Sequence, residues 1–139
     1  MKKFEDLKIG DTLGPLHVTV SKDRTRGYAK AFSLDAPRFT DDEGARKEGL
    51  PGMILPGNMS LALLTKLLTE WIGTSGARLL RLGTTYRQFV QPDHPLTLQG
   101  FVTHANPEDR IAEIDVWIET GDADRLVIGT ATVQFPPSK

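Results

Sequence analysis

The chain of 139 residues contains no cysteine. This absence excludes disulfide bonds, thiolate metal sites and a cysteine nucleophile. The chain also lacks an excess of one charge: the formal net charge is -1, so neither nucleic acid nor an anionic membrane is expected as a partner. A long hydrophobic run is absent as well, because the most apolar region, residues 59–72, is interrupted by serine, threonine, lysine and glutamate. It is too short and too polar to span a bilayer.

The overall composition is that of an ordinary globular protein, with 25% charged and 39% hydrophobic residues. The length suits one domain with its own core, and we therefore predict a single domain over residues 1–139. Residues 1–6 contain two lysines with no apolar run behind them, which is not typical of a secretory signal. We expect a cytoplasmic protein.

The first part of the chain contains one strand and one helix by pattern. Residues 16–20 alternate between apolar and polar side chains, which predicts a half-buried strand. Ser21 suits the N-cap of a helix over residues 22–32. The residue before Pro37 prefers extended backbone, so the helix should end before it. The core-facing side chains of this helix are predicted to be Tyr28, Ala31 and Phe32.

The middle of the chain predicts two further helices and a stiff loop between them. Residues 40–47 should form a short surface helix with Thr40 as its cap. Residues 49–57 include three glycines and two prolines, which can bring backbone close to a ligand. Residues 58–72 form the strongest predicted helix, and their apolar side chains cover most of its circumference. We expect other elements to wrap such a helix.

The second half of the chain consists of predicted strands joined by short turns. Their ranges are residues 79–90, 96–105, 111–119 and 126–135. Short turns of this kind favour an antiparallel meander. One long apolar helix followed by these strands predicts an α+β domain in which the sheet cradles the helix. Such a domain leaves sheet edges and apolar surface to cover, so we expect a dimer.

Several short motifs occur in a characteristic order. Residues 4–10 read FEDLKIG, residues 33–41 read SLDAPRFTD, residues 52–57 read GMILPG and residues 89–96 read FVQPDHPL. In this order they resemble the F-x-D-L-x-x-G, G-D-x-N-P-x-H-x-D, G-P-I-A-H-G and P-V-x-P-G-D-x-L segments of the MaoC-like (R)-specific enoyl-CoA hydratases and dehydratases. The resemblance implies the hot-dog fold, an antiparallel sheet wrapped around one long central helix.

The acid/base residues of that family are replaced here. In the family, an Asp and a His of the loop hold a water molecule and move its proton at the α and β carbons of an acyl thioester. Aligned on Pro37, these positions hold Leu34 and Phe39, and Pro56 replaces the His of the next motif. Neither Leu34 nor Phe39 can transfer a proton. A shift of one residue would make Asp35 a lone catalytic base, and otherwise Asp35 is an acid of a turn.

The same resemblance implies a binding site. The amides of Gly57 and Asn58 begin the central helix and would bind an acyl carbonyl or an anion. Arg38 would hold a phosphate of CoA, or would only be solvated. The remaining substrate contacts implied are Leu34, Phe39 and Pro56. No cofactor is expected beyond acyl-CoA or an acyl-carrier thioester as substrate or ligand, and the three histidines lack metal-ligand spacing.

Three functions fit these residues. The favoured hypothesis is a degenerate subunit that pairs with a catalytically competent MaoC-like partner and shapes the acyl tunnel. The second is a homodimeric enoyl-CoA hydratase or dehydratase that uses Asp35. The third is a homodimer that binds acyl-CoA without turning it over.

Overall fold

The structure is a computed structural model that describes residues 3–34, 36–121 and 124–138. The strands are β1 (Thr12–Val18), β2 (Arg78–Tyr86), β3 (Leu96–Asn106), β4 (Ile111–Thr120) and β5 (Asp124–Gln134). The helices are a 3-10 turn (Phe4–Asp6), α1 (Lys22–Ala31), α2 (Pro37–Thr40), α3 (Asp42–Lys47) and α4 (Gly57–Ile72). The strands form one antiparallel sheet in the order β1-β3-β4-β5-β2. Within the described ranges, no helix is long and apolar enough to cross a membrane.

The core lies between α4 and one face of the sheet. Leu64 and Leu68 are fully buried, and α4 contacts strands β1 to β4. From the sheet, β4 contributes Ile114, Val116 and Ile118, which are also buried and which alternate along the strand as predicted. The predicted α+β arrangement is therefore confirmed.

Helix α4 packs against the sheet as the predicted fold requires, but part of its surface is exposed within this chain. The sheet covers only one side of the helix. On the opposite side Ala62, Lys66 and Glu70 are exposed, and Leu61 and Leu63 are half-buried. Ala62, Lys66 and Glu70 recur at intervals of four residues, so they form one continuous face of the helix, with Leu61 and Leu63 on either side of it. The single chain thus leaves part of an unusually apolar helix open.

The predicted meander holds for β3, β4 and β5 but not for β2. Strand β2 pairs with β5, and β1 takes the position beside β3. The backbone N–H groups of Arg87 and Gln88 both donate to the carbonyl of Leu126 (2.8 and 3.1 Å). These bonds end the ladder at Tyr86, four residues before the predicted end of the strand, and direct the chain across to β3.

Helix α1 begins as predicted, since the Ser21 hydroxyl accepts from the Arg24 N–H (3.1 Å). The predicted inward face is wrong for Ala31 and Phe32, which are exposed, and Tyr28 is half-buried. The helix instead packs through two small side chains one turn apart, those of Thr25 and Ala29. Small side chains allow the helix backbone to lie close to the rest of the domain.

The predicted helix over residues 40–47 is divided into α2 and α3. Thr40 ends α2 rather than capping the next helix. The cap of α3 is Asp41, whose Oδ2 accepts from the Gly44 N–H (3.0 Å). Asp41 has extended backbone, which is the conformation an N-cap residue needs.

Candidate functional site

A cavity of about 740 Å³ lies where α2, the loop before α4, the start of α4 and the end of β2 meet. We call it the main cavity. Apolar side chains make up much of its wall. They are those of Phe39, Leu50, Ile54, Leu55, Phe89 and Val90. Polar groups also line it, from Arg38, Glu48, Ser60, Tyr86 and Gln88.

Two backbone hydrogen bonds bring these distant segments together. The Ile54 N–H donates to the Arg38 carbonyl (2.9 Å), and the Leu55 N–H donates to the Val90 carbonyl (2.8 Å). The loop before α4 is therefore held between α2 and the segment that follows β2. In this position the loop, which contains glycines and prolines, forms one wall of the main cavity.

Phe39 lines the main cavity from α2. Beside it, the Arg38 guanidinium carbon lies 5.6 Å from the centre of the Phe39 ring. Arg38 Nε also donates to Glu48 Oε2 (3.0 Å). Leu34 is half-buried and is not among the lining residues, and its N–H donates to the Ala29 carbonyl. Asp35 lies outside the described residues.

The start of α4 reaches the main cavity at Gly57. The Tyr86 hydroxyl donates to the Gly57 carbonyl (2.8 Å), and a Cβ at Gly57 would lie only 3.2 Å from Tyr86 Cζ. The first N–H groups of a helix lack acceptors within that helix, and they carry its positive end. This end can therefore stabilise a carbonyl oxygen or an anion. Pro56 is buried as the residue before the helix, and Asn58 is exposed; neither lines the main cavity.

The ionisable groups that line the main cavity are Arg38, Glu48 and Tyr86. Glu48 forms an ion pair with Arg38, and the Tyr86 hydroxyl donates its hydrogen to the Gly57 carbonyl. None of these groups forms the Asp/His pair of the resembled family. Among the described residues there is also no cluster of His, Asp and Glu that could hold a metal ion. The arrangement can hold an apolar chain and orient a polar group at its rim.

Three of these lining residues are among the binding residues predicted from the sequence, namely Arg38, Phe39 and Gly57. Glu48 and Tyr86 also line the cavity and were not predicted: Glu48 pairs with Arg38 ten residues before it, and Tyr86 contacts a more distant segment. Tyr86 is separated from Gly57 by 29 residues, so no local pattern indicates the contact. A local signal did exist for Phe89 and Val90, because both belong to the FVQPDHPL motif.

Comparison with known proteins gives a family and a fold. The sequence model described as "FAS1-like, dehydratase domain region" matches residues 8–110. A search of curated proteins gives no match. Among solved structures, the (R)-hydratase from A. caviae involved in PHA biosynthesis is 20% identical, with a TM-score of 0.86 over 95% of this chain and 99% of that chain.

Two further structures are similar over comparable lengths. The MaoC-like dehydratase from Rhodospirillum rubrum is 19% identical, with a TM-score of 0.83 over 97% of each chain. A chain of the ChsH1-ChsH2 complex from Mycobacterium tuberculosis is 19% identical, with a TM-score of 0.83 over 93% of this chain and 98% of that chain. At these identities the likeness concerns the fold, and the predicted hot-dog fold is confirmed.

Proposed function

Because the chain belongs to the family of FAS1-like dehydratase domain regions and is a MaoC-like hot-dog protein, we propose that it is a degenerate subunit of an acyl-thioester hydratase or dehydratase. In this proposal it binds the acyl group in the main cavity and leaves proton transfer to a partner. One observation carries the proposal: Phe39, at the motif position of the family's His, lines the main cavity. A hydrocarbon ring there can contact an acyl chain but cannot move a proton.

The walls of the main cavity support the binding part of the proposal. Burial of an acyl chain against Phe39, Ile54 and Phe89 contributes about 0.8 kcal/mol for each methylene removed from water. The helix end at Gly57 offers a positive potential to the thioester carbonyl. Acyl-CoA and acyl-carrier thioesters both carry an apolar chain that suits these walls and a thioester carbonyl that suits the helix end.

The edge of the sheet supports the partner part of the proposal. Strand β2 pairs only with β5 among the described residues, so one side of a nine-residue strand is open. Leu80, Tyr86 and Phe89 are 47%, 49% and 59% exposed on or next to it. Open strand edges and apolar surface favour association. The similar chain in the ChsH1-ChsH2 structure belongs to a complex, which favours a MaoC-like heterodimer over a homodimer.

The experiment is a hydration assay of a short enoyl-CoA, with the purified chain alone and with the MaoC-like protein that co-purifies with it from its native host. Light scattering on the same samples measures their mass. We expect dimers, and a rate close to background for the chain alone. Each general acid/base group contributes about 10²–10⁴-fold, so the loss of two leaves little. The partner alone is the control, and the mixture should exceed it.

Three results would contradict this proposal. A hydration rate for the chain alone within tenfold of an intact hydratase, abolished by Asp35→Ala, would identify a working enzyme. Tight acyl-CoA binding without turnover, and without any MaoC-like partner, would identify a binding module. A folded monomer at micromolar concentration would remove the partner. The proposal includes the cytoplasmic location expected from the sequence.

A further inference from the structure

A second, smaller cavity of about 220 Å³ lies beside α3. We call it the basic cleft. Three potentially cationic side chains and one amide line it together with one carboxylate. These residues are Lys22, Arg46, His94, Gln91 and Asp42. Gln91 and His94 belong to the FVQPDHPL motif, whereas Lys22, Asp42 and Arg46 lie outside the resembled motifs.

The carboxylate in the basic cleft is fully engaged. Lys22 Nζ lies 2.7 Å from Asp42 Oδ2, and the Met53 N–H donates to Asp42 Oδ1 (2.9 Å). The Lys22 hydrogen bond, followed by that of Met53, holds the pKa of Asp42 below its usual range. Asp42 therefore stays ionised and interacts electrostatically with both Lys22 and Arg46, and the three side chains together carry one net positive charge.

The side chains of Arg46 and Gln91 have no ion pair or hydrogen bond with any other residue that the structure describes. His94 Nδ1 lies 2.9 Å from the Pro92 carbonyl. A contact with a carbonyl requires the hydrogen on Nδ1, which makes Nε2 of the neutral ring an acceptor rather than a donor. The basic cleft thus combines the Arg46 guanidinium with the Gln91 amide N–H₂ group, and these are donors that suit a phosphate.

A glycine keeps this cleft open. A Cβ at Gly52 would lie 3.1 Å from Asp42 Oδ1 and 3.6 Å from Gln91 Nε2. Any side chain there would press on the carboxylate that is paired with Lys22. The approach of the loop to α3 therefore depends on the missing side chain.

The basic cleft adjoins the main cavity along the same two segments. Residues 51–53 and 91–92 line the cleft, and residues 54–55 and 88–90 line the main cavity. The Leu55–Val90 hydrogen bond joins these two segments in the wall of the main cavity. Because neighbouring residues of the same two segments line both sites, the two sites lie next to each other.

We propose that the basic cleft binds a phosphate of the carrier to which the acyl group is attached. This inference rests on the proposed function, since it places the acyl chain in the main cavity and its phosphorylated arm beside it. The chemistry is shared by CoA and by the phosphopantetheine of a carrier protein. Arg46 supplies the charge and the fork of donors, and Gln91 supplies an amide donor.

The test compares Arg46→Ala with Lys47→Ala in the full chain. Both positions are exposed on α3, and both changes remove one positive charge, but only Arg46 lines the cleft. Isothermal titration calorimetry measures the binding of four ligands: octanoyl-CoA, octanoyl-phosphopantetheine, octanoyl-pantetheine and free CoA. Circular dichroism checks that both variants are folded.

We expect Arg46→Ala to weaken octanoyl-CoA and free CoA about tenfold, a factor that corresponds to 1.4 kcal/mol, and to leave octanoyl-pantetheine unchanged. Lys47→Ala should change all four by less than twofold. If Arg46→Ala weakens the binding of octanoyl-phosphopantetheine as much as that of octanoyl-CoA, the cleft binds the phosphate that CoA shares with carrier proteins. A loss confined to the two CoA ligands assigns it to the nucleotide phosphates.

Equal effects of the two variants on octanoyl-CoA would overturn the inference, because they would reflect only general charge. So would an equal loss for octanoyl-pantetheine, or wild-type protein that binds neither CoA ligand. If instead only the proposed function is wrong, free CoA would still bind in an Arg46-dependent manner, and the octanoyl group would add no affinity.

Discussion

Replacement of Leu64 by alanine tests whether α4 is the centre of the core. Leu64 is fully buried at the middle of the helix. Truncation of such a leucine removes its transfer free energy and leaves a cavity, and it costs about 2–5 kcal/mol. For a domain of this size, 1 kcal/mol shifts the melting temperature by about 4 °C. The expected shift of the melting temperature is therefore about 8–20 °C. The cost of about 2–5 kcal/mol is also a large part of the usual free energy of unfolding, about 5–15 kcal/mol.

The assay is urea unfolding followed by circular dichroism, with a thermal scan at the same protein concentration because association raises apparent stability. The matched control is Lys66→Ala, an exposed change two residues further along the same helix. It should alter the unfolding free energy by less than about 0.5 kcal/mol. A cost below about 1 kcal/mol for Leu64→Ala would refute the reasoning, because it would mean that α4 is peripheral.

Two further predictions concern the chain terminus and the cavity. The hydrogen bond from Arg110 to Glu5 (2.7 Å) lowers the pKa of Glu5 from 4.5 to about 2. The resulting stabilisation is present above pH 4.5 and is lost as the pH falls towards 2. Glu5→Gln should therefore flatten the loss of stability in that window, measured by urea unfolding, and an unchanged acid slope would contradict this. Gly57→Ala should cost about 1–3 kcal/mol by crowding the Tyr86 ring, and less in a Tyr86→Ala background. Additive costs in this double-mutant cycle would exclude the contact.

Local geometry explains why much of the fold was predictable. Alternation of Ile114, Val116 and Ile118 gave one face of β4, because side chains of a strand alternate with a period of two. The cap at Ser21 was also predictable, since it depends on bonds within one helical turn. These features need only neighbouring residues, and the structure confirms them.

The pairing of the strands was not predictable in the same way. Sequence order favoured a meander, but β2 lies beside β5 at the far edge of the sheet. The exposed face of α4 was also missed, since hydrophobicity records how apolar a helix is and not which sheet covers it. Both depend on which of several apolar surfaces meet, and that is a property of the whole domain.

Part of the candidate site was predictable from the sequence, and part of it was not. The sequence by itself determined the apolar central helix, predicted from residue 58 and observed from Gly57, and the resemblance predicts that Phe39 stands at the motif position of the family's His, since both follow from residue identity and order. Only the tertiary structure decided that Tyr86 covers Gly57, that Glu48 pairs with Arg38, and that Leu34, Pro56 and Asn58 do not line the main cavity. These outcomes are set by the hydrogen bonds and packing that join residues far apart in the chain, which no local pattern contains.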